Sequence, residues 1–368
     1  MSSGFDRLRR ALEDDFDASS GEPWSDEHFE RRALEVFHAQ YEGCAPLRAL
    51  CDARGVTPDA VGSWRDVPLV PTAAFKQLDL VSAPAGPDAR VFRTSGTTRG
   101  RSARGRHHVP RPSLYRAALR GPLRAALLPD RASIRFVSLI PAPDAVPDSS
   151  LSFMIGAAAE AFADGVDWLV DAEGRWSPRA AEVWADVVSS GEPVLLVGTA
   201  LAFVHALERE GRAEPVLARL PEGSRVMETG GFKGSGREIG RTRMYAALAG
   251  RIGLPESRIV NEYGMTELCS QLWETVLCDG EERGRSHLPA PWLRVRALDP
   301  VSLEPLPEGQ EGVLAFYDLA NAGSVSHVLT EDIGAIVDGR VRLKGRAPGA
   351  EPRGCSRAMD EMMSAAGR

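Results

Sequence analysis

The segment RTSGTTRGRSARGR, residues 93–106, combines hydroxyl side chains, glycines and arginines directly after the apolar pair Val91-Phe92. Glycines let successive backbone N–H groups converge on an anion, hydroxyls donate further hydrogen bonds, and guanidinium groups supply positive charge. This composition favours phosphate binding. Taken alone this is a weak signal, because most segments rich in Ser, Thr and Gly are ordinary turns, and no Walker motif is present.

The segment NEYGMTEL, residues 261–268, follows the apolar run SRIV. The hydroxyl of Thr266 and the carboxylate of Glu267 suit a magnesium–phosphate group, and the ring of Tyr263 can stack on a nucleobase. A third segment, LTEDIG at residues 329–334, is predicted to form a turn in which Asp332 accepts hydrogen bonds from ribose hydroxyls. Taken singly, each of these segments is also explained as a solvated polar loop or turn.

The elements that must position these segments follow from hydrophobic patterning. From residue 91, short apolar runs bounded by turn residues alternate with amphipathic segments, which predicts an α/β fold of mostly parallel strands flanked by helices. Ligands of such sheets bind at the carboxyl ends of the strands. The predicted strands are SIRFVSLI (133–140), DWLV (167–170), EPVLLVG (192–198), SRVMETGG (224–231) and SRIVNEYG (257–264).

Two flanking regions differ from this central pattern. Helical periodicity dominates residues 5–55, whereas from about residue 291 Pro and Gly clusters and an Asp-Gly pair predict antiparallel strands with a hairpin turn. The sequence therefore predicts a large domain with a smaller β-rich terminal subdomain. Its parts are a helical N-terminal part (1–90), an α/β core (91–288) and a β-rich subdomain with a cysteine-containing tail (289–368).

Composition excludes several classes of protein. The 368 residues carry a net charge of −7, which argues against coating nucleic acid or an anionic membrane surface. The N-terminus lacks the apolar segment of a signal peptide, and no run reaches the ~18 apolar residues needed to span a bilayer. The five cysteines are too irregularly spaced for a disulfide framework or a zinc site, so a reducing, cytoplasmic location is expected.

Together the three polar segments, in this order and at these distances, resemble the acyl-adenylate-forming superfamily of acyl-CoA synthetases, luciferases and adenylation domains. Within it the sequence is most similar to the bacterial acyl-protein synthetase (LuxE-like) family, the ATP-dependent subunit of the fatty acid reductase of luminous bacteria. This narrower resemblance runs from about residue 60 to the end. It rests on VPLVPTAAFK (67–76), ETGGFKG (228–234) and GRAPGAEPRGCSRAMDE (345–361).

The resemblance implies ATP and Mg²⁺ and assigns a role to each matching residue. Thr266 would meet the α-phosphate, Glu267 would hold Mg²⁺, and Asp332 would bind the ribose. Arg346 stands where the superfamily often places an arginine that contacts ribose or phosphate. The β- and γ-phosphates would be wrapped by Thr94, Ser95, Gly96, Thr97 and Thr98, and the adenine site would be formed by Gly230, Gly231, Phe232, Tyr263 and Gly264.

The sequence departs from the superfamily pattern at two places. The phosphate segment continues with Arg99-Gly100-Arg101-Ser102, where most members have Gly-x-Pro-Lys. We also expect that the mobile C-terminal domain with a catalytic lysine, present in most members of the superfamily, is absent. The resembled family is expected to lack this domain as well. The cation that completes the site therefore stays open, and its lysine candidates are Lys76, Lys233 and Lys344, of which Lys233 follows the adenine motif.

Cys355 lies in PRGCSR between Arg353 and Arg357, and nearby guanidinium groups favour a nucleophilic thiolate. In the resembled family a cysteine near the C-terminus accepts the acyl group as a thioester and passes it to a reductase partner. A structural role for Cys355 is the alternative. The other cysteines are expected to be small buried hydrophobic side chains, with Cys269 and Cys278 on a predicted helix.

The acyl group is expected to lie against apolar residues, with Met154, Thr199 and Phe203 as candidate lining residues. Packing in the helical core explains the same side chains equally well. The adjacent pair His107-His108 has no companions at metal-ligand spacing and is expected at the surface.

The predicted function is ATP-dependent activation of a carboxylic acid, with a fatty acid as first candidate, to an acyl-AMP, followed by transfer of the acyl group to a thiol. One alternative is an adenylating ligase for an aryl, amino or polyketide-derived acid that hands it to coenzyme A, an amine or a carrier. A second alternative is a non-catalytic nucleotide-binding subunit of a reductase complex.

Overall fold

The computed structural model describes residues 4–19, 21–94, 104–208, 217–230, 240–280, 284–346 and 353–367. The chain divides into two compact units, each built from separate stretches of sequence. We call residues 1–122, 265–272 and 286–368 the β-rich unit, and residues 123–264 with 273–285 the α/β unit. Segments 95–103, 209–216, 231–239, 281–283 and 347–352 lie outside the described residues, as do the extreme ends and Ser20.

The N-terminal part of the β-rich unit is helical, as its periodicity predicts. Ser25 caps one of its helices, because the side chain of Ser25 accepts a hydrogen bond from the backbone N–H of His28. The elements here are α1 (Gly4–Ala18), α2 (Asp26–Gly43), α3 (Ala45–Ala53), β1 (Val70–Pro71), α4 (Ala74–Gln77), β2 (Arg90–Arg93), β3 (Arg106–Val109) and α5 (Pro112–Leu127), within which the unit boundary falls.

In the α/β unit, strands and helices alternate along the chain. Ser149 caps the first complete helix by accepting a hydrogen bond from the N–H of Ser152. The elements are β4 (Ile134–Ser138), α6 (Ser150–Phe162), β5 (Ala163–Trp168), α7 (Ala180–Ser190), β6 (Val194–Thr199), α8 (Ala200–Glu208), β7 (Arg225–Thr229), α9 (Arg241–Ile252) and β8 (Ile259–Tyr263), followed by β9 (Leu272–Glu274) and α10 (Val276–Asp279).

The strands of the α/β unit are parallel and lie in the order β8-β7-β6-β4-β5. Helix α6 connects β4 to β5, toward the β5 edge of the sheet. Helices α7, α8 and α9 connect β5 to β6, β6 to β7 and β7 to β8, in the opposite direction across the sheet. Since such crossovers are right-handed, α6 lies on one face of the sheet and the other three helices lie on the opposite face. That opposite face forms a core around Val137, Leu196, Val226 and Trp184.

The C-terminal part of the β-rich unit is antiparallel. Strand order is β11-β12-β13-β14-β10, and the elements are β10 (His287–Leu288), β11 (Leu293–Leu298), β12 (Gly312–Asp318), β13 (His327–Val337), β14 (Arg340–Arg346) and the helix α11 (Arg353–Ala365). Asp338 and Gly339 join β13 to β14 with φ of 51° and 71°, a left-handed pair that the predicted Asp-Gly hairpin requires.

The units differ from the predicted division at residues 90 and 288. Strand β1 pairs in parallel with β13, with Val70 opposite Val328, so the N-terminal region is hydrogen-bonded to the β-rich part. Local sequence patterns carry no signal for a pairing between such distant positions. Among the residues that the structure describes, no helix is both long and apolar enough to cross a membrane.

Three local predictions are wrong. The segment around Asp332 lies within strand β13 and is not a turn. Cys269 lies in a turn before β9 and not in a helix. Cys278 does lie in a helix, α10, but it is exposed where a buried side chain was expected. Asp332 lies in a strand because β13 pairs with its neighbours, and Cys278 is exposed on a helix of only four residues. Helical periodicity in the sequence predicts neither strand pairing nor the length of so short a helix.

Candidate active site

The adenine candidates of the α/β unit follow two neighbouring parallel strands. Thr229 of β7 is in register with Glu262 of β8, so Gly230 and Tyr263 lie next to each other at the carboxyl ends. Gly230 is exposed with φ of 78°, a conformation that favours glycine, and Tyr263 is half-buried. The structure thus brings these two candidates together with the exposed Gly264. Gly231, Phe232 and Lys233 lie outside the described residues.

A buried polar network supports these strand ends on the face that carries α9. The carboxylate of Glu228 accepts hydrogen bonds from the hydroxyl of Tyr245 at 2.8 Å and from Nδ2 of Asn261 at 2.6 Å. Arg241 donates to Oδ1 of Asn261 at 2.6 Å. Burial raises the pKa of Glu228. The sequence analysis did not single out this network, although two polar residues inside apolar strands, Glu228 and Asn261, are its signal.

The opposite face of the same strands carries a second polar pair. Because side chains alternate along a strand, Thr229 and Glu262 point away from the α9 face, and the hydroxyl of Thr229 donates a hydrogen bond to the carboxylate of Glu262. Glu262 is 3% exposed. Burial raises the pKa of Glu262 to about 7. The α6 face therefore presents a buried carboxyl group directly before Tyr263.

Thr266 and Glu267 belong to the β-rich unit, where their backbone is held from two sides. Nδ1 of His107 lies 2.6 Å from the backbone oxygen of Thr266. Nδ2 of Asn321 donates to the backbone oxygen of Glu267 at 2.7 Å. The side chain of Glu267 is 8% exposed. The predicted phosphate and magnesium residues thus lie on a segment whose peptide groups have fixed buried partners.

The prediction of a surface histidine pair is half wrong. His107 on β3 is 1% exposed, with its ring edge against Phe75 of α4, whereas His108 is half-buried and pairs with Asp79. Because side chains alternate along β3, the ring of His107 points inward and that of His108 points outward. Two adjacent polar residues in the sequence therefore gave no indication that one of them is buried. The phosphate candidates and the segment around Phe75 therefore share a packed environment.

Thr94 stands at the base of the predicted phosphate segment. Its hydroxyl accepts a hydrogen bond from the N–H of Gly105 at 2.8 Å, and its own N–H donates to the oxygen of Gly105 at 3.1 Å. A Cβ at Gly105 would lie 3.1 Å from Cγ2 of Thr94, so the close approach suits glycine. The residues on either side of the predicted phosphate segment, Thr94 and Gly105, are therefore hydrogen-bonded to each other. Ser95, Gly96, Thr97 and Thr98 lie outside the described residues.

The ribose candidate Asp332 and the candidate Arg346 contact each other. They face one another across β13 and β14, with Nε of Arg346 3.4 Å from Oδ1 of Asp332. Arg346 also lies 3.5 Å from the carboxylate of Glu331. Asp332 is 6% exposed and half of the arginine side chain is exposed. The antiparallel register, and not a turn, brings the two together.

Cys355 lies in the first turn of α11 and is 2% exposed. Its thiol donates a hydrogen bond to the backbone oxygen of Thr330 on β13 at 3.3 Å. The N–H of Gly354 donates to Pro300 at 2.9 Å, and Arg54 pairs with Glu361 further along the helix. In this conformation the candidate acyl acceptor is covered by its own helix and the surface beneath it.

The three acyl-site candidates lie in the α/β unit but not together. Met154 is 2% exposed on α6, whereas Phe203 is wholly buried in the core of the opposite face. The ring of Phe203 packs on Gly198, where a Cβ would lie 2.8 Å from it. The hydroxyl of Thr199 accepts a hydrogen bond from the N–H of Ala202. The described contacts of Phe203 are those of core packing, the alternative that the sequence left open, and the acyl-site role of all three residues stays a prediction.

The candidate residues offer one carboxylate ligand for Mg²⁺. Mg²⁺ is usually bound by one or two carboxylates together with substrate phosphates and water, and the carboxylate of Glu267 supplies one such ligand. Within the described ranges, no group of three or more His, Cys, Asp or Glu side chains is placed to hold a metal ion. Glu267 alone among the described candidates is thus assigned to Mg²⁺, and that assignment stays a prediction.

The lysine candidates differ in their surroundings. Nζ of Lys344 lies 3.0 Å from Oε1 of Glu311, and both side chains are exposed. Lys76 is exposed on α4. Both are exposed, and Lys233 lies outside the described residues, so the cation that completes the site stays open.

Comparison with known proteins gives a consistent family. The profile of the acyl-protein synthetase family, LuxE, matches residues 13–364. The long-chain-fatty-acid–luciferin-component ligase of Aliivibrio fischeri is 22% identical over 306 residues, covering 82% of this chain and 77% of the relative. The ligase of the same name from Vibrio harveyi is 30% identical over 82 residues, 20% of this chain and 22% of the relative.

Solved structures with a similar fold are adenylate-forming ligases. A 2-hydroxyisobutyryl-CoA ligase in complex with 2-HIB-AMP has a TM-score of 0.62 at 17% identity, covering 87% of this chain and 67% of its own. ATP-bound MatB from Rhodopseudomonas palustris has a TM-score of 0.50 at 16% identity, covering 81% and 56%. These similarities confirm the predicted fold class, and the profile match confirms the predicted family and its ligase class.

Proposed function

The chain belongs to the LuxE acyl-protein synthetase family, and we propose that it activates a carboxylic acid with ATP and passes the acyl group to a thiol. The observation that carries this proposal is the pairing of Gly230 and Tyr263 at the carboxyl ends of adjacent parallel strands, where such sheets bind nucleotides. Thr266 and Glu267 follow within a few residues, at the phosphate positions of the motif.

In the first half-reaction a carboxylate oxygen of the acid attacks the α-phosphorus of ATP. The new P–O bond forms as the bond to the pyrophosphate oxygen breaks, which gives acyl-AMP and pyrophosphate. Little covalent chemistry falls to the protein, so positioning and charge neutralisation dominate. In this proposal Thr266 hydrogen-bonds the α-phosphate, Asp332 binds the ribose, and Glu267 holds Mg²⁺, which neutralises phosphate charge when bound.

In the second half-reaction the thiolate of Cys355 attacks the acyl carbonyl carbon. The C–S bond forms, the C–O bond to AMP breaks, AMP leaves with the electron pair, and the thiol proton passes to solvent. The local sequence with Arg353 and Arg357 supports this role. The buried position of Cys355 means that the transfer requires the first turn of α11 to open.

A fatty acid is the first candidate substrate, because both curated relatives are named long-chain-fatty-acid ligases. A reductase or a carrier that takes the acyl group from the thiol is the corresponding partner. The apolar helix α6, with Met154 buried, supports an acyl site on that face of the sheet.

One observation favours a second candidate substrate class. A hydrocarbon chain has no group to satisfy a buried carboxyl, yet the α6 face carries Glu262 with Thr229 at the strand ends. An acid with a hydroxyl or amino group would satisfy that carboxyl. The alternative function is therefore adenylation of an amino, aryl or polyketide-derived acid.

Acid-dependent exchange of labelled pyrophosphate into ATP tests the proposal. The panel contains tetradecanoic acid, shorter saturated acids, hydroxy acids, amino acids and benzoic acids. Exchange with saturated chains supports the first candidate, whereas exchange confined to hydroxy, amino or benzoic acids supports the second. ATP binding without exchange for any acid would contradict activation and leave a nucleotide-binding subunit.

A further inference from the structure

We propose that His107 and Asn321 are positioning residues of the adenylation step, which fix the peptide groups of Thr266 and Glu267 so that their side chains meet phosphate and magnesium. The inference rests on the proposed function, since it assumes the roles given to that pair. Neither His107 nor Asn321 belongs to the motifs by which the sequence was interpreted. Both lie in the β-rich unit together with the segment that they hold.

The bond from His107 defines its chemical state. A carbonyl oxygen only accepts hydrogen bonds, so Nδ1 of His107, 2.6 Å from the oxygen of Thr266, must carry the proton. Nε2 is buried and has no hydrogen-bond partner among the described residues. Burial lowers the pKa of His107 to about 4, which keeps the ring neutral at physiological pH. The neutral ring therefore makes one hydrogen bond within the described residues, to the backbone oxygen of Thr266.

Asn321 holds the next peptide group in the same way. Its Nδ2 donates to the oxygen of Glu267 at 2.7 Å and to that of Val325 at 3.2 Å, while Oδ1 is buried without a partner within the described ranges. Asn321 ends the short 3-10 helix Leu319–Asn321, and its own backbone oxygen accepts a hydrogen bond from Gln40 at 3.0 Å. The amide that holds Glu267 is therefore itself fixed.

The peptide groups beyond the motif have a third fixed partner. Oδ2 of Asp318 accepts hydrogen bonds from the N–H groups of Cys269 and Ser270, each at 2.9 Å. Asp318 is wholly buried. Side chains from β3, the end of β12 and the 3-10 helix thus hold residues 266–270 on both their carbonyl and amide sides.

The functional consequence follows from the sensitivity of phosphoryl transfer to geometry. The directions of the Thr266 hydroxyl and the Glu267 carboxylate depend on the orientation of their own peptide groups. A displacement of about 1 Å in a catalytic group can cost about a hundredfold in rate. We therefore expect loss of either donor to affect magnesium dependence and turnover before it affects folding.

The test compares His107→Leu, which removes the donor, with His107→Asn, whose amide can replace the Nδ1–H group. His108→Leu on the outward side of β3 is the matched control. In pyrophosphate exchange, His107→Leu is expected to lower kcat about ten- to a hundredfold and to raise the Mg²⁺ concentration for half-maximal rate. His107→Asn is expected to recover most of both, and the control to match the wild-type protein.

Hydrogen exchange of the peptide that spans residues 265–271 gives a readout that needs no substrate. Faster amide exchange there in His107→Leu, and not in His108→Leu, is expected whether or not any acid is activated. If the wild-type protein shows no pyrophosphate exchange, the proposed function fails. Hydrogen exchange still decides whether His107 holds the segment that carries Thr266 and Glu267. Unchanged amide exchange together with unchanged magnesium dependence would overturn the inference.

Asn321→Asp serves if His107→Leu does not fold, because it keeps the size of the side chain and loses the donor to Glu267. The same loss of turnover and shift in magnesium dependence are expected. A lower kcat with unaltered KM for ATP and unaltered magnesium dependence would indicate only a smaller folded fraction and would contradict a positioning role.

Discussion

The thiol of Cys355 donates a hydrogen bond to the backbone oxygen of Thr330, two residues before Asp332 on the same strand. The proposed acyl acceptor and the proposed ribose ligand are therefore tied to one strand, β13. Helix α11 covers the thiol in this conformation, so the proposed acyl transfer to Cys355 requires α11 to open. The free enzyme and the acylated enzyme should differ most at this helix.

Alkylation of the thiols should follow their exposure. Cys278 is exposed, whereas Cys44, Cys51, Cys269 and Cys355 are buried. In the absence of substrates, iodoacetamide is expected to modify Cys278 first, as measured by peptide mass spectrometry over time. Equal rates at Cys278 and Cys355 would show that α11 is already open in the free enzyme.

Replacing Glu267 by Gln should remove the proposed magnesium ligand while keeping the size of the side chain. We expect acid-dependent pyrophosphate exchange to fall about a hundredfold, because charge on the transferring phosphates is then poorly neutralised. Glu311→Gln, which changes an exposed carboxylate paired with Lys344, is the control. An exchange rate for Glu267→Gln equal to that of the control would exclude the magnesium role.

Asp332→Asn should weaken ATP binding through the ribose. A hydrogen bond to a charged group is worth about 1.5–3 kcal/mol, so KM for ATP is expected to rise about ten- to a hundredfold. The rise should be much smaller for 2′-deoxy-ATP or 3′-deoxy-ATP, whichever lacks the bound hydroxyl. Glu331→Gln, at the neighbouring carboxylate, should leave KM near its original value. The same penalty for ATP and both deoxy analogues would contradict a ribose contact.

Glu262 should make stability depend on pH in a defined window. Its pKa is about 7 in the folded protein against an ordinary value of 4.5. Between these values the unfolded chain ionises first, so stability falls as pH rises, by roughly 1–3 kcal/mol in total. Below pH 4.5 the carboxyl group is protonated in both states, and its stabilising contribution to the folded state is fully present. Melting temperatures of Glu262→Gln should therefore decline less from pH 5 to pH 8, and parallel curves would contradict the shift.

Much of the fold could be predicted from local patterns. The apolar run 192–198 became β6, Val194–Thr199, and the Asp-Gly pair became the hairpin at Asp338-Gly339. Both depend on periodicity or on backbone conformation, which neighbouring residues determine. The family resemblance also gave the candidate residues, because short motifs preserve the type of side chain that contacts a nucleotide.

The features of the candidate site that the sequence did not predict depend on contacts between residues far apart in the chain. His107 is 159 positions from Thr266, and its burial follows from the strand that carries it and from the packing of Phe75. Asp332 faces Arg346 only because of the antiparallel register. The crossover direction puts α8 on the face opposite α6, so the acyl-site candidates Phe203 and Met154 lie on opposite faces of the sheet, which local patterns do not show.

Intact-protein mass spectrometry after incubation with ATP, Mg²⁺ and the acid selected by exchange tests acyl transfer to Cys355. We expect an increase by the mass of one acyl group that requires ATP, is removed by hydroxylamine, and maps to Cys355. Cys355→Ser should form acyl-AMP without this adduct, whereas Cys278→Ser should retain it. An adduct that persists in Cys355→Ser, or acyl-AMP formation with no adduct on the wild-type protein, would contradict acyl transfer to this thiol.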